Sequence, residues 1–462
     1  FADINLSATT LYWFSLTVGA AQKIIHPQQA TFWGMNHVVE MGHPELHLKQ
    51  IDISDKSEKT IGTLFDLILS ESGEERNAVS GEEWWVPRLE RCSISELPNR
   101  DRHPDKNGWQ VIVGGFGGIG LALAESLTSK GFRRIALLGR HLPTLDQKKI
   151  ISTFEKQGVQ IRPIKCDVTD YAALEKTFIK LENESPIRGI YHCAVVKRVS
   201  NADEHDPWPA FWQILAPKVL GAWNLHNLSE SRRMALDYMV FFSSSVSVIP
   251  PYSLPHYVAA NTYLDALATW RHSKGLPALS ISWGAWSGIG TVSDPAQAEH
   301  LRNGGLHGFS PSEGLALLDV ALQKDIPHLA LMRVEWVKLL RQYGHRIPLY
   351  FERFSEKLRI KTEKSLSPKI ESISCVPSTQ KTILHSLKNS SDDFTRQKLL
   401  EDWLKEHFAR ILNISSDKIE RTVSLFDIGI DSLMFIEMSG ELEKNLRIKI
   451  SPSSLLQDFT IE

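Results

Sequence analysis

A strand that runs into a glycine-rich turn and then into a helix leaves a chain few folds to choose from, and residues 110–131 read that way: QVIV, GGFGGIG, then LALAESLTSKG. The apolar run has the length of a buried strand, and Gly131 stands where a helix is closed by a left-handed glycine. Gly115, Gly117 and Gly120 supply G-x-G-x-x-G, with Gly118 and Ile119 inside the same turn. Glycines there let the backbone approach a pyrophosphate, whose charge meets the positive end of the helix dipole. The motif alone is weak, and its place between strand and helix is what points to dinucleotide binding.

Further strand patterns follow at Arg134–Leu138, at a run ending in Cys166, and at Gly189–Ala194, Tyr238–Phe242 and Ala278–Trp283, with helical segments between them. This alternation predicts an α/β fold built on a doubly wound parallel sheet. Ligands of such sheets bind outside the carboxyl ends of the strands. Arg140, after the second strand, would accommodate a 2′-phosphate and argues for NADPH; the alternative is a solvated surface arginine. Asp167, followed by Val168, would accept from an adenine amine or cap a helix.

The fifth strand leads into FFSSSVSVIPPYSLPHYVAAN, Phe241 to Asn261. Tyr257 and Asn261 are four apart and share a helix face, and Ser244 stands at the mouth of the strand. A hydroxyl, a phenol and an amide that converge suit protonation of an oxyanion as hydride arrives at a carbonyl carbon. The plainer alternative is a serine-terminated strand before a core helix.

At 462 residues the chain predicts two to four domains. Its formal net charge of -2, with no basic stripe, argues against nucleic acid. Four scattered cysteines without a CxxC pair suggest neither zinc nor a disulfide framework, and a reducing, cytoplasmic setting is expected. No apolar run reaches the roughly 18 residues of a membrane span. In HPELH, His43 to His47, the glutamate is misplaced for a zinc motif and Pro44 interrupts the helix, so no metal is expected. Residues 1–106 carry no glycine fingerprint after any strand and read as a scaffold. The chain begins at Phe1 and stops at Glu462 within a helical pattern, and reads as a piece of something longer.

Together GGFGGIG, the Ser244 and Tyr257 spacing and WGAW at Trp283–Trp286 resemble the short-chain dehydrogenase superfamily. Asn261 stands where the common YxxxK motif has lysine, and Lys218 lies in the upstream segment LAPKVLGAWNLH. That exchange resembles the ketoreductase domains of polyketide synthases. The resemblance implies Tyr257 as proton donor, Ser244 on the ketone oxygen, and Lys218 and Asn261 tuning and relaying to the tyrosine; a surface lysine is the alternative for Lys218. A nearby ammonium would favour the phenolate and lower a phenol whose ordinary value is about 10. Ala30–Gly34 and Gly42–Leu46 look like the family's structural subdomain, a degenerate nucleotide fold without a cofactor.

Three departures stand out. His192-Cys193-Ala194-Val195 replaces HAAG, bringing a β-branched residue toward the expected nicotinamide. Lys197-Arg198-Val199 replaces the Leu-Asp-Asp marker of one stereochemical class, and Ile249 the tryptophan of the other. Ser287–Gly308 reads as a flap over the substrate.

Residues 356–393, rich in Ser, Lys and Thr, read as a linker. From Arg396 a helix is expected, with Leu400, Trp403, Leu404, Phe408, Ile411 and Leu412 on one face. LFDIGIDSLMFIEM follows, its Asp431-Ser432-Leu433 opening a second helix. In that setting the segment resembles an acyl carrier protein, which implies a small four-helix domain over 394–462 and a 4′-phosphopantetheine ester on Ser432, the anion lying at a helix N-terminus. The whole then resembles a structural subdomain (1–106), a catalytic NADPH-binding subdomain (107–355), a linker and a carrier. The implied reaction is NADPH-dependent reduction of a β-ketoacyl thioester. The implied partners are a phosphopantetheinyl transferase and other synthase domains: ketosynthase, acyltransferase, dehydratase or thioesterase. The alternatives are the same chemistry in a fatty-acid or glycolipid synthase, and a non-reducing scaffold beside a carrier.

Overall fold

The computed structural model describes residues 14–21, 24–42, 47–70, 72–100, 103–196, 208–251, 254–290, 295–343, 347–355, 383, 387 and 392–412. The first sheet comes from β1 (Phe14–Val18), α1 (Ala30–Gly42), β2 (Lys49–Ile53), α2 (Glu58–Leu69), β3 (Arg76–Ser80) and β4 (Glu83–Trp85). Its order is β1-β2-β3-β4, parallel except for β4. The amides that follow β1 are already engaged. The buried Asp52 carboxylate, near the end of β2, accepts from Thr17 Oγ1 at 2.7 Å, Ala20 N at 2.8 Å and Ala21 N at 3.0 Å. A carboxylate of the protein thus sits on loop amides of the kind that hold a phosphate in a nucleotide fold.

The second sheet grows from β5 (Trp109–Val113), α3 (Gly118–Ser129), β6 (Arg134–Gly139), α4 (Leu145–Lys156), β7 (Gln160–Lys165), α5 (Tyr171–Glu182), β8 (Ile187–His192), α6 (Trp208–Ser231), β9 (Tyr238–Ser244), α7 (Pro255–Ser273) and β10 (Leu279–Trp283). Beyond it come α8 (Pro295–Asn303), β11 (Leu306–His307), α9 (Pro311–Leu322), β12 (His328–Leu331), β13 (Arg333–Val334) and α10 (Trp336–Arg341). The strand order is β12-β10-β9-β8-β5-β6-β7, with every pairing parallel.

Alternation along β5 builds a core on each face. Val111 and Val113 pack with Leu174 and Phe178 of α5, Leu225 of α6 and Leu264 of α7. Ile112 packs on the opposite side with Leu123 and Leu127 of α3 and Phe154 of α4. A strand covered on both faces reads as a continuous apolar run, as QVIV does. The order reverses between β5 and β8, and the crevice of a doubly wound sheet opens at such a reversal.

Local chemistry sets the helix ends. Thr144 with Gln147 and Ser310 with Glu313 form capping boxes on α4 and α9, and Gly131 follows α3 with φ 85°. Asp170 caps α5 by accepting from Ala173 N at 3.0 Å. Asp167 therefore does not cap that helix; its Oδ1 takes the Thr169 amide at 2.9 Å and hydroxyl at 2.8 Å.

The expected flap over 287–308 contains α8 and β11 and is tied at its base, where Ser287 N donates to Phe309 O at 2.7 Å and Phe309 N to Ala285 O at 2.8 Å. Phe354 is buried with its ring stacked 3.7 Å from Trp336, so the packed fold runs at least that far. The helix expected from Arg396 is α11 (Asp393–Leu412). The rest of the four-helix expectation, with Ser432, and the HPELH segment except His47 lie outside the described residues.

Between the two sheets α1 lies on α7, and Gly34 marks a close approach. A Cβ there would stand 2.3 Å from Thr262 Oγ1, 2.9 Å from Thr262 Cβ and 3.2 Å from the Val258 carbonyl. Gly34→Ala is expected to destabilise the chain by about 1–3 kcal/mol, the cost of overpacking a tight contact. Urea denaturation measures it, and an unchanged midpoint would contradict so close a packing.

Candidate active site

Strand β9 carries the chain through six buried positions, Tyr238 to Ser243, to Ser244, which is half-buried, extended (φ -139°, ψ 148°) and paired in register with Trp283 of β10. A 3-10 turn over Ser245–Ser247 follows. The chain enters α7 through Leu254, a non-glycine residue in the left-handed region (φ 68°), with Pro255 at the first helical position. Tyr257 thus falls in the first turn of the helix, opposite the end of β9.

Burial pushes the Tyr257 phenol above its ordinary value, while the Ser244 hydroxyl and the Asn261 side chain pull the other way. The phenol therefore holds its proton at neutral pH, as an acid must. Asn261 is fully buried; its Nδ2 donates to the Tyr257 carbonyl at 2.7 Å and its Oδ1 has no hydrogen-bond partner among the described residues.

Lys218 comes from α6, which carries Pro217 in its interior. The Pro217 carbonyl takes a hydrogen bond from His192 Nε2 at 2.9 Å. His192 lies at the end of β8, is held down to about 3 by burial, with the Lys218 charge adding to the effect, and is neutral. The Lys218 ammonium is buried, donates to the Phe242 carbonyl at 2.8 Å and sits 5.8 Å from the centre of the Tyr257 ring. Burial lowers it to about 8, opposed by Cys193 and Asp265. The phenol, expected to be lowered, is instead raised, because burial dominates; one of the three Nζ donors is used on the Phe242 carbonyl.

The glycine loop has the shape expected of it. Gly114, at φ 80°, could not carry a Cβ, which would lie 2.9 Å from Ala194 Cα beyond β8. At Gly120 a Cβ would lie 2.5 Å from the Gly114 carbonyl, and at Gly115 it would lie 2.8 Å from Ile112 O. Gly117 precedes α3, and it and Gly118 are exposed. The first-turn amides at Gly118, Ile119 and Gly120 have no helical acceptor, so a phosphate fits there. Ile289, beyond β10, leans over Gly118. Arg140 is exposed at the end of β6 without an ion pair among the described residues, and Val168 is buried against Gly221 beneath Asp167.

Val195 is half-buried just beyond β8. Ile249 is buried among Leu339, Leu340, Phe351 and Phe354, so it packs a core rather than lining the crevice. Lys197–Val199 lie outside the described residues. Sequence reading missed the Phe242 carbonyl under Lys218, the His192 contact, and Asp265 of α7. Only Asp265 left a signal, standing four residues beyond Asn261 on the same helix.

Residues 108–288 match the family model described as KR domain, and residues 402–462 that described as phosphopantetheine attachment site. Among curated proteins the chain is 27% identical to Polyketide synthase GfsB of Streptomyces halstedii, over 93% of this chain and 7% of that protein. It is 29% identical to Mycoketide-CoA synthase of Mycobacterium tuberculosis, over 76% of this chain and 8% of that protein. The chain thus spans a small part of these relatives. A solved structure titled "Structure of A1-type ketoreductase" superposes with a TM-score of 0.68 at 27% identity, covering 76% of this chain and 75% of that one.

Lys218 binds its proton less tightly folded, at about 8, than an ordinary lysine at 10.5. Between those values the unfolded chain binds more protons, so stability rises with pH across the window and the full burial penalty applies below it. Relative to Lys218→Met, the wild-type chain is expected to gain on the order of 2 kcal/mol from about pH 8 to about pH 10. Urea denaturation across that range reads it, and a pH-independent difference would contradict the buried ammonium.

Proposed function

We propose that this chain, which carries the KR domain and phosphopantetheine attachment site of polyketide synthases, reduces a β-ketoacyl thioester to the β-hydroxyacyl thioester with NADPH and holds the intermediate on its own carrier. The observation that carries this reading is the convergence at the end of β9. Ser244, Tyr257 and the buried Lys218 come from a strand and two helices, and all three lie at the carboxyl edge of the sheet that also carries the glycine loop.

In this reading NADPH supplies hydride to the β-carbon. The Gly115–Gly120 loop and the first turn of α3 hold its pyrophosphate, Arg140 takes the 2′-phosphate, and the Asp167 oxygen left free by Thr169 accepts from the adenine amine beside Val168. Ser244 donates to the ketone oxygen and orients it. Tyr257 gives its proton to the oxygen as negative charge develops there. The carbonyl π bond becomes an O–H bond, and a C–H bond forms at the β-carbon. Lys218, held on the Phe242 carbonyl, stabilises the phenolate left behind, and Asn261 fixes the first turn of α7 through the Tyr257 carbonyl.

Ser432 carries the phosphopantetheine arm, and the linker over 356–393 lets the carrier travel. Tethering raises the local concentration of the thioester without new contacts. Residues 1–106 act as the scaffold of the reductase, 107–355 as its catalytic part and 394–462 as the carrier. A phosphopantetheinyl transferase loads the carrier, and the other synthase domains supply and consume the acyl chain. The same chemistry serves a fatty-acid or glycolipid synthase equally well.

Tyr257→Phe is expected to lower NADPH oxidation with a β-ketoacyl thioester by about 10²–10⁴-fold, the usual worth of a positioned acid, with the thermal midpoint little changed. No NADPH consumption by the wild-type chain, or full activity in the variant, overturns the catalytic assignment. Incubation with coenzyme A and a phosphopantetheinyl transferase is expected to add the mass of one arm, and Ser432→Ala to abolish the gain. A gain that survives that substitution places the arm elsewhere.

A further inference from the structure

Tyr257, Asn261 and Asp265 follow one another at intervals of four along α7 and form a column on one face. The first two have roles in the proposal above; Asp265 has none, yet it is the best-furnished carboxylate near the crevice. It is 9% exposed, and at that depth a carboxylate needs hydrogen-bond donors. Its Oδ1 accepts from Ser280 Oγ at 2.6 Å; its Oδ2 accepts from Ser247 Oγ at 2.6 Å and from Ser282 Oγ at 3.1 Å. His328 Nε2, from the start of β12, lies 3.6 Å from Oδ2 and 2.8 Å from Ser282 Oγ. Ser280 and Ser282 are alternate residues of β10 and so point to the same side of the sheet, toward α7.

Ser247 is the member that matters for the chemistry. It closes the 3-10 turn that begins directly after Ser244, and its Oγ is also 2.9 Å from the Ser244 carbonyl. A hydroxyl has one proton to give; the charged and nearer acceptor takes most of it, and the carbonyl takes a bent share. The turn is therefore clamped to Asp265, while Val248 and Ile249 close it from the other side through the Ser245 carbonyl at 3.0 and 2.7 Å.

We propose that Asp265 is a positioning residue: through Ser247 it references the Ser244 turn to α7, the rigid helix that carries Tyr257. Eight residues of helix separate the two, about 12 Å of fixed rise, so the serine hydroxyl and the phenol are set by a single body. Without the Ser247 hydroxyl the turn keeps the end of β9, its own backbone and the packing of Val248 and Ile249 but loses its side-chain ties to Asp265 of α7 and Ser282 of β10, and a displacement of about 1 Å in a reacting group is enough to cost about 10²-fold. The same carboxylate favours the charged form of Lys218, so it serves both the geometry and the charge of the site.

The proposal rests on the assignment of Ser244 and Tyr257 made above, and the test separates the two. The full chain is assayed with NADPH and a freely diffusing β-ketoacyl N-acetylcysteamine thioester, as wild type, Ser247→Ala, Asp265→Asn, Ser244→Ala and the Ser244→Ala, Ser247→Ala double variant. Ser247→Ala is expected to lower kcat by roughly 10–100-fold, with KM and the NADPH Kd within about twofold and the thermal midpoint little changed. Because Ser247 acts through Ser244, the double variant is expected to be no slower than Ser244→Ala, within about twofold. Asp265→Asn is expected to follow Ser247→Ala; should it fail to fold, Ser247→Ala and the double variant decide. A Ser247→Ala chain within about twofold of wild type, or losses that multiply in the double variant, overturns the positioning role and leaves the assignment of the site standing. A Ser244→Ala chain as fast as wild type overturns that assignment and this proposal with it.

Discussion

The enclosure of α7 is the constraint from which the site follows. The helix lies with Leu264 and Leu267 against the sheet, with Ala259 and Ala260 against Leu215 of α6 and Met35 of α1, and with Gly34 of α1 so close that a Cβ there would meet Thr262. Small residues at these positions let three elements approach one axis, so the helix has nowhere to shift. Ser243 Oγ ties it to β9 by donating to the Asn261 carbonyl at 3.2 Å. A phenol on the first turn of such a helix is held where the packing puts it.

The electrostatics of the crevice follow from the same enclosure. An ammonium and a phenol that would be ordinary in water are both moved by burial, Lys218 down to about 8 and Tyr257 upward. Both shifts favour the neutral form of the group, which is what a medium of low dielectric does. Backbone geometry then selects how each is used. The Phe242 carbonyl, at the end of a strand, gives the ammonium an acceptor, and the left-handed turn at Leu254 delivers the phenol to the strand's mouth.

The first sheet follows a related logic with a different outcome. Its first strand is followed by a turn whose amides could receive an anion, and Asp52 fills that role from within. The second sheet places no side-chain cap of its own on the corresponding start of α3, and Gly117 and Gly118 are exposed. Two similar layers thus diverge at the point where backbone N–H groups either meet a carboxylate of the chain or remain available.

By itself the sequence determined the α/β alternation, the glycine loop and its helix, the Ser244, Tyr257 and Asn261 stretch, the resemblance of the last segment, and the helix expected from Arg396, because each is written in local period, caps and spacing. Strand edges fell within a residue or two, since β7, β8 and β9 end where hydrogen bonding stops rather than where apolar residues do. Tertiary structure alone decided the strand order that opens the crevice between β5 and β8, the docking of α1 on α7 through Gly34, and the partners of Lys218 and Asp265. Those partners are a carbonyl 24 residues away and serines 15 to 18 residues away. It also decided the direction of the Tyr257 shift, where burial outweighs the hydrogen bonds from Ser244 and Asn261. The physical reason is common to all of these: period and spacing act within one element, whereas desolvation and long-range hydrogen bonds exist only once separate elements have been brought together.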